Sequence, residues 1–133
     1  MGKSAVLALA ASLTLACSGA GAQDSYPSKP IRIMVSFAAG GPTDSVARIM
    51  SAKMTELLGQ TVLVENRTGA GGNIGADVVA KAAPDGYALL MATVSTHAIN
   101  PGLYKNMPYD PLQDFAPVGQ VGVTPCEIGR AHV

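Results

Sequence analysis

The sequence predicts an α/β domain in which a mainly parallel sheet is flanked by helices. Three observations carry that expectation. Apolar runs rich in strand-forming residues begin at Ile31, Thr61 and Tyr87. Segments with apolar residues at helical spacing separate them. Glycine-rich loops join each of the first two runs to the segment that follows. Strands that alternate with helices are joined by crossovers, and crossovers make neighbouring strands parallel.

The elements follow in order. Ile31 to Phe37 is largely apolar and β-branched, as a buried strand should be. Ala38 to Asp44 is a turn, in which Thr43 or Asp44 is expected to cap the next helix. Val46, Ile49, Met50, Met54, Leu57 and Leu58 then share one helical face, with Arg48, Lys53 and Glu56 largely opposite. Gly59 ends that helix by accepting a left-handed backbone. Thr61 to Glu65 is the second strand, and Asn66 to Asn73 is a loop with Asn73 as the expected cap. Ile74 to Ala83 is a shorter helix, stopped by Pro84-Asp85-Gly86, and Tyr87 to Ala92 is the third strand. Thr93 to Pro101 reads as polar and turn-rich. Gly102 to Lys105 suits one helical turn, and Phe115 to Val123 a further strand.

Composition narrows the function. Nine basic residues balance nine acidic ones among 133, which removes the positive footprint of a nucleic-acid binder. No apolar run reaches the roughly 18 residues of a membrane-spanning helix. With 48% hydrophobic and 14% charged residues, the chain has enough apolar surface to fold.

Residues 1–22 read as a secretory signal peptide. Lys3 supplies the positive start, Ala5 to Ala16 the apolar stretch, and Ala20-Gly21-Ala22 the small-x-small cleavage pattern before Gln23. A buried N-terminal helix is the competing reading. Lipid anchoring through Cys17 is another, but Thr14 stands where a lipoprotein box carries a large aliphatic residue. A soluble exported protein is therefore expected. Cleavage leaves eight Lys and Arg against nine Asp and Glu. It also leaves Cys126 alone, which allows no internal disulfide. Residues 127–133, Glu-Ile-Gly-Arg-Ala-His-Val, back-translate to the start of a common sequencing adapter whose next codon is a stop. They are expected to be a non-native tail, which leaves residues 23–126 as a partial, N-terminal α/β portion of a longer protein.

In a parallel sheet the loops that leave strands for helices gather at the carboxyl edge, where ligands bind. Ala38 to Asp44 and Thr68 to Asn73 are two such loops, each bringing glycines to a helix start. Unpaired N–H groups and the positive end of the helix dipole favour an anion there, and glycine allows close approach. Serving only tight turns and close packing is the alternative use of those glycines. A dinucleotide site fits poorly. In Gly69-Ala70-Gly71-Gly72-Asn73-Ile74-Gly75 the last glycine comes one place late, and no acidic residue ends the strand at Ala92. His97 lacks a thiol or carboxylate partner in sequence and reads as a solvated loop residue. The Asp110/Asp114 pair lies among prolines and suits turn chemistry. Met34, Met50, Met54 and Met91 read as core fillers rather than metal ligands, and neither metal nor cofactor is expected.

Tyr26-Pro27-Ser28-Lys29-Pro30-Ile31-Arg32, Phe37-Ala38-Ala39-Gly40-Gly41-Pro42-Thr43-Asp44, and Val64-Glu65-Asn66-Arg67 leading into Gly69 to Gly75 together resemble the Bug family. These are periplasmic substrate-binding components of tripartite tricarboxylate transporters. Pro84-Asp85-Gly86-Tyr87 and His97-Ala98-Ile99-Asn100-Pro101 extend the match, which runs from about Tyr26 to Pro125. The resemblance implies the first lobe of a type II periplasmic binding protein, with the second lobe largely missing. It implies a protein that is no enzyme, that closes on a small organic carboxylate, and that serves membrane permease subunits, as a monomer at full length. It assigns the ligand carboxylate to the loops after the first two strands, partly through bridging waters. The residues are Phe37, Ala38, Ala39, Gly40, Gly41, Thr43 and Asp44, then Gly69, Ala70, Gly71, Gly72 and Asn73. Thr93, Ser95 and Thr96 would line the same cleft. Two alternatives stand beside it: a secreted α/β hydrolase using His97 or Ser95, for which no Gly-x-Ser-x-Gly elbow exists, and a signalling protein recruited from the binding fold.

Overall fold

A computed structural model describes residues 26–123. The expected signal segment 1–22 and the expected non-native tail 127–133 lie outside them. Three parallel strands form one sheet in the order β2-β1-β3: β1 (Ile31–Val35), β2 (Val62–Asn66) and β3 (Ala88–Met91). Ile33 sits opposite Val64 on one side and Leu89 on the other. The central strand is buried at every position except Arg32, which is why it reads as a near-continuous apolar run.

Helix α1 (Pro42–Leu58) crosses from β1 to β2, and α2 (Asn73–Ala80) from β2 to β3. Because the two crossovers run in opposite directions along the sheet, their common right-handedness puts the helices on opposite faces. The core gathers Ile31, Ile33, Val35, Ala47 and Val62, with Phe37, Met54, Val64, Leu89 and Met91 packed around them.

Helix α1 keeps the predicted period but not the predicted phase. Asp44 and Ala47 face inward, Met50, Ser51 and Met54 are half-buried, and Val46, Ile49 and Leu57 are exposed. Ala47 has no side chain beyond Cβ, so the helix lies close to the sheet there. Gly59 ends it in the left-handed conformation, its N–H donating to Thr55 O at 3.1 Å.

Neither predicted side-chain cap forms. Gly41 is the N-cap of α1, with Pro42 at the first helical position, where its missing N–H costs nothing. Gly72, in the left-handed region, is the N-cap of α2, and Asn73 is already helical. Two further expectations change. Residues 94–103 are helical rather than turn-rich: a π-helical turn over Ser95–Ile99 runs into α3 (Asn100–Leu103). Phe115 to Val123 forms no strand among the described residues, and Val118, Val121 and Val123 are exposed. A run of alternating apolar residues needs a neighbouring strand to pair with, and this segment meets none in residues 26–123.

Candidate functional site

With strand order 2-1-3, the chain turns left after β1 and right after β2, so the topological switch point lies between β1 and β3. The carboxyl edge there, called the crevice below, is bounded by the loops after all three strands.

The first loop runs from Ser36 to Gly41. Ala38 O accepts from Gly41 N–H at 3.3 Å, and Gly40 turns through φ +81°. Behind it stands Asp44, 2% exposed, which reaches back from the third helical position past the N-cap to the loop. Its Oδ2 accepts from Gly40 N–H at 2.8 Å and from Arg48 Nε at 2.8 Å. Its Oδ1 accepts from Asn66 Nδ2 at 2.9 Å. Asn66 Nδ2 also donates to Phe37 O at 3.0 Å, and Asn66 Oδ1 accepts from Arg48 Nη2 at 3.3 Å. Arg48 foremost, then the Gly40 N–H and Asn66, holds the Asp44 carboxyl well below the usual carboxylate range.

The second loop is built on backbone chirality. Gly69, Ala70, Gly71 and Gly72 have φ of +130°, +47°, +65° and +98°, and Gly72 N–H closes the turn onto Gly69 O at 2.9 Å. Glycine adopts such angles freely; Ala70 does so under strain. A Cβ on Gly72 would stand 2.8 Å from Thr96 Cγ2, 3.2 Å from Ser36 Cβ and 3.4 Å from Phe37 Cζ. All three crevice loops therefore meet at Gly72.

Asn73 is buried beneath this loop. Its Oδ1 accepts from Asn100 Nδ2 at 2.6 Å and from Tyr109 Oη at 3.1 Å, and its Nδ2 faces Met107 Sδ at 3.5 Å. Asn100 Nδ2 also donates to Gly71 O at 3.0 Å, and the Tyr109 hydroxyl to Thr96 O at 2.8 Å. Sequence reasoning missed Asn66, Asn100 and Tyr109 as supports of the loops. The one available signal was Asn66, a poor strand former at the end of a strand.

The predicted site residues thus divide. Ala38, Ala39, Gly40, Ala70 and Gly71 are exposed at the carboxyl edge. Gly41, Thr43, Gly69, Phe37, Thr93 and Ser95 are half-buried around them. Asp44, Gly72, Asn73 and Thr96 are buried. The last four do not present side chains to the crevice; they hold the surface that does. The donors also redistribute. The N–H groups of Gly40, Gly41, Gly72 and Asn73 are engaged internally. Those of Ala38, Ala39, Ala70 and Gly71 carry no hydrogen bond among the described residues. The glycines shape the loops, and mainly the alanines offer the donors.

Thr93 Oγ1, at the carboxyl end of β3, is a buried hydroxyl without a partner among the described residues. A shallow groove of about 510 Å³ along Tyr104, Lys105, Met107 and Tyr109 adjoins the second loop, with Tyr104 Oη 3.1 Å from where a Gly71 Cβ would stand. His97 is not a solvated loop residue. Its Nδ1 lies 3.0 Å from Thr96 Oγ1, its ring packs 4.9 Å from Phe115, and burial pushes its pKa down. Among the described residues no group of three metal-ligating side chains gathers.

Glycine loops at one carboxyl edge, a crevice at the switch point and the motifs around them invite comparison with known proteins. The model of the tripartite tricarboxylate transporter family receptor, TctC, matches residues 46–128. This chain belongs to the TctC family. A UPF0065 protein from the TAR-I ttuE-ttuC' intergenic region of Agrobacterium vitis is 53% identical over 80% of this chain and 31% of its own length. The structure of the periplasmic binding protein BugD is 47% identical, with a TM-score of 0.64 over 71% of this chain and 31% of that one. MatC from Rhodopseudomonas palustris, with bound malate, is 44% identical, with a TM-score of 0.67 over 70% of this chain and 32% of that one. The resemblance to Bug proteins holds, and so does the α/β fold of a periplasmic binding protein. The chain spans about a third of the length of these TctC relatives.

Proposed function

We propose that this chain supplies the first lobe of a periplasmic solute receptor that takes up a small organic carboxylate for a tripartite tricarboxylate-type transporter. The observation that carries the reading is the set of free N–H groups of Ala38, Ala39, Ala70 and Gly71, held at one sheet edge by two differently braced loops. Partial positive charge from such donors suits a carboxylate without a salt bridge. The malate in the MatC relative supports a dicarboxylate as ligand. Thr93 and Ser95 flank the same crevice, and Asp44, Asn73 and Thr96 act from beneath it. The partners are permease subunits in the membrane, and the full-length receptor works as a monomer. The hydrolase alternative has no support: His97 packs on Phe115 with the Thr96 hydroxyl at its Nδ1.

Amide NMR tests the site. Adding malate should shift the Ala38, Ala39, Ala70 and Gly71 resonances, whereas dimethyl malate, which has no carboxylate, should not. Equal shifts with both compounds would end the carboxylate reading. Export is tested separately, by expression in a Gram-negative host with intact-mass analysis. A chain starting at Gln23 is expected, and a lipid-sized increment on Cys17 would replace the soluble route with an anchored one.

A further inference from the structure

An anion site with a carboxylate directly behind it poses an electrostatic difficulty. Asp44 is the third residue of α1 and holds the first loop through Gly40 N–H, so its charge lies close to the donors meant for the ligand. Unopposed, that charge would repel an incoming carboxylate, most strongly at low ionic strength.

The structure answers this with a closed ring of three side chains. Asp44 Oδ2 accepts from Arg48 Nε at 2.8 Å, Arg48 Nη2 donates to Asn66 Oδ1 at 3.3 Å, and Asn66 Nδ2 donates back to Asp44 Oδ1 at 2.9 Å. The ring ties the start of α1 to the end of β2, and through Phe37 O it also fixes the loop after β1. Arg48 takes its place by the i, i+4 geometry of the helix, one turn after Asp44. Its side chain stays half exposed, so it is not required to fill the core.

We propose that Asp44 and Asn66 are positioning residues for the first loop, and that Arg48 cancels the charge of Asp44 so that the same loop can accept a ligand anion. This rests on the carboxylate reading above and assigns a task to residues that touch no ligand. Arg48 therefore acts on anion affinity chiefly through charge, whereas Asp44, which alone of the three holds Gly40 N–H, acts through the conformation of the loop.

The test is amide NMR on the 133-residue chain with malate as probe, at low and at moderate salt. In Arg48→Gln the Gly40 resonance should stay in place, because Asp44 still accepts from it. Malate affinity at low salt should fall roughly three- to ten-fold, on the scale of one unscreened like-charge contact. The sign of the salt effect is the reading a structural role would not move. Added salt should weaken malate binding to the wild type, and should restore part of it in Arg48→Gln. In Asp44→Asn the Gly40 amide should lose its charge-assisted bond and move; because Arg48 is then unopposed and favours an anion at low salt, the Gly40 resonance rather than the affinity reads the clamp. Wild-type malate affinity in Arg48→Gln at low salt would overturn the role of Arg48. An unmoved Gly40 resonance in Asp44→Asn would overturn the clamp. If the wild-type chain shows no malate-induced shift, the carboxylate reading falls and the role of Arg48 with it, while the Gly40 resonance still judges the clamp.

Discussion

The loop after β1 and the loop after β2 carry similar small-residue sequences, Ala38-Ala39-Gly40-Gly41 and Gly69-Ala70-Gly71-Gly72, yet they are held by different means. The first has one turn, closed by Gly41 N–H onto Ala38 O, and one glycine at positive φ; a buried carboxylate and its cation keep it in shape. The second has four successive residues at positive φ and is shaped by chirality and close packing, over a neutral network of Asn73, Asn100 and Tyr109. One loop is sensitive to charge and the other to volume. Similar composition therefore conceals two kinds of fragility.

The largest expected effect separates the two on volume. Gly72→Val places a side chain into Thr96 and Ser36 at φ +98°, and should destabilise the chain by roughly 3 kcal/mol or more in chemical denaturation. Gly40→Ala meets open space and bears only the backbone cost, about 1–2 kcal/mol. Equal losses would break the comparison.

Next comes the neutral network. Asn73→Leu removes an acceptor shared by Asn100 and Tyr109 and should cost about 1–3 kcal/mol, the range for leaving buried polar groups unpaired. The loss should be the same at pH 4 and pH 7, because none of the three groups ionises in that range.

The charge-held loop should instead answer to acid. The folded-state pKa of Asp44 is depressed, so its stabilisation is present above the unfolded carboxylate value of about 4 and fades as pH falls through and below it. Asp44→Asn should lower stability at neutral pH, converge with the wild type in acid, and so flatten the acid limb of the stability profile. A residual slope will remain, since Lys29 depresses Asp85 in the same direction. An unchanged acid limb would contradict the assignment.

The smallest effect concerns strain. Ala70 sits at φ +47°, and Ala70→Gly should leave stability unchanged or raise it by up to about 1 kcal/mol, the relief of strain partly offset by greater freedom when unfolded. A clear loss would mean that the Ala70 methyl makes a contact that matters more than its backbone angle.

Much of the fold was legible because it depends on local pattern. The β-branched content of Ile31 to Val35, the helical period after Asp44 and the stop at Gly59 are properties of short windows. The phase of α1 was not legible. Val46, Ile49 and Leu57 are the more apolar choice for an inward face, but the small Ala47 and the reach of Asp44 to Asn66 set the rotation. Those are tertiary facts, spanning 22 residues of sequence in the case of Asn66. The edge of the site was legible from the two glycine loops. Which N–H groups remain free was not, because Gly40 and Gly72 spend theirs inside the fold.

The chain enters the sheet through a fastening on the edge opposite the crevice. The Tyr26 hydroxyl donates to Gly86 O, Ser28 N–H donates to the Tyr87 hydroxyl, and Lys29 pairs with Asp85 at 2.9 Å while lying over the Tyr87 ring. These contacts fix where the polypeptide leaves the domain at its start: beside the amino ends of β1 and β3. A tether ahead of Tyr26, whether an affinity tag, a sensor-chip linkage or a fluorophore, therefore pulls from the rear. The glycine loops then face the medium, so surface immobilisation through that end should leave the crevice open.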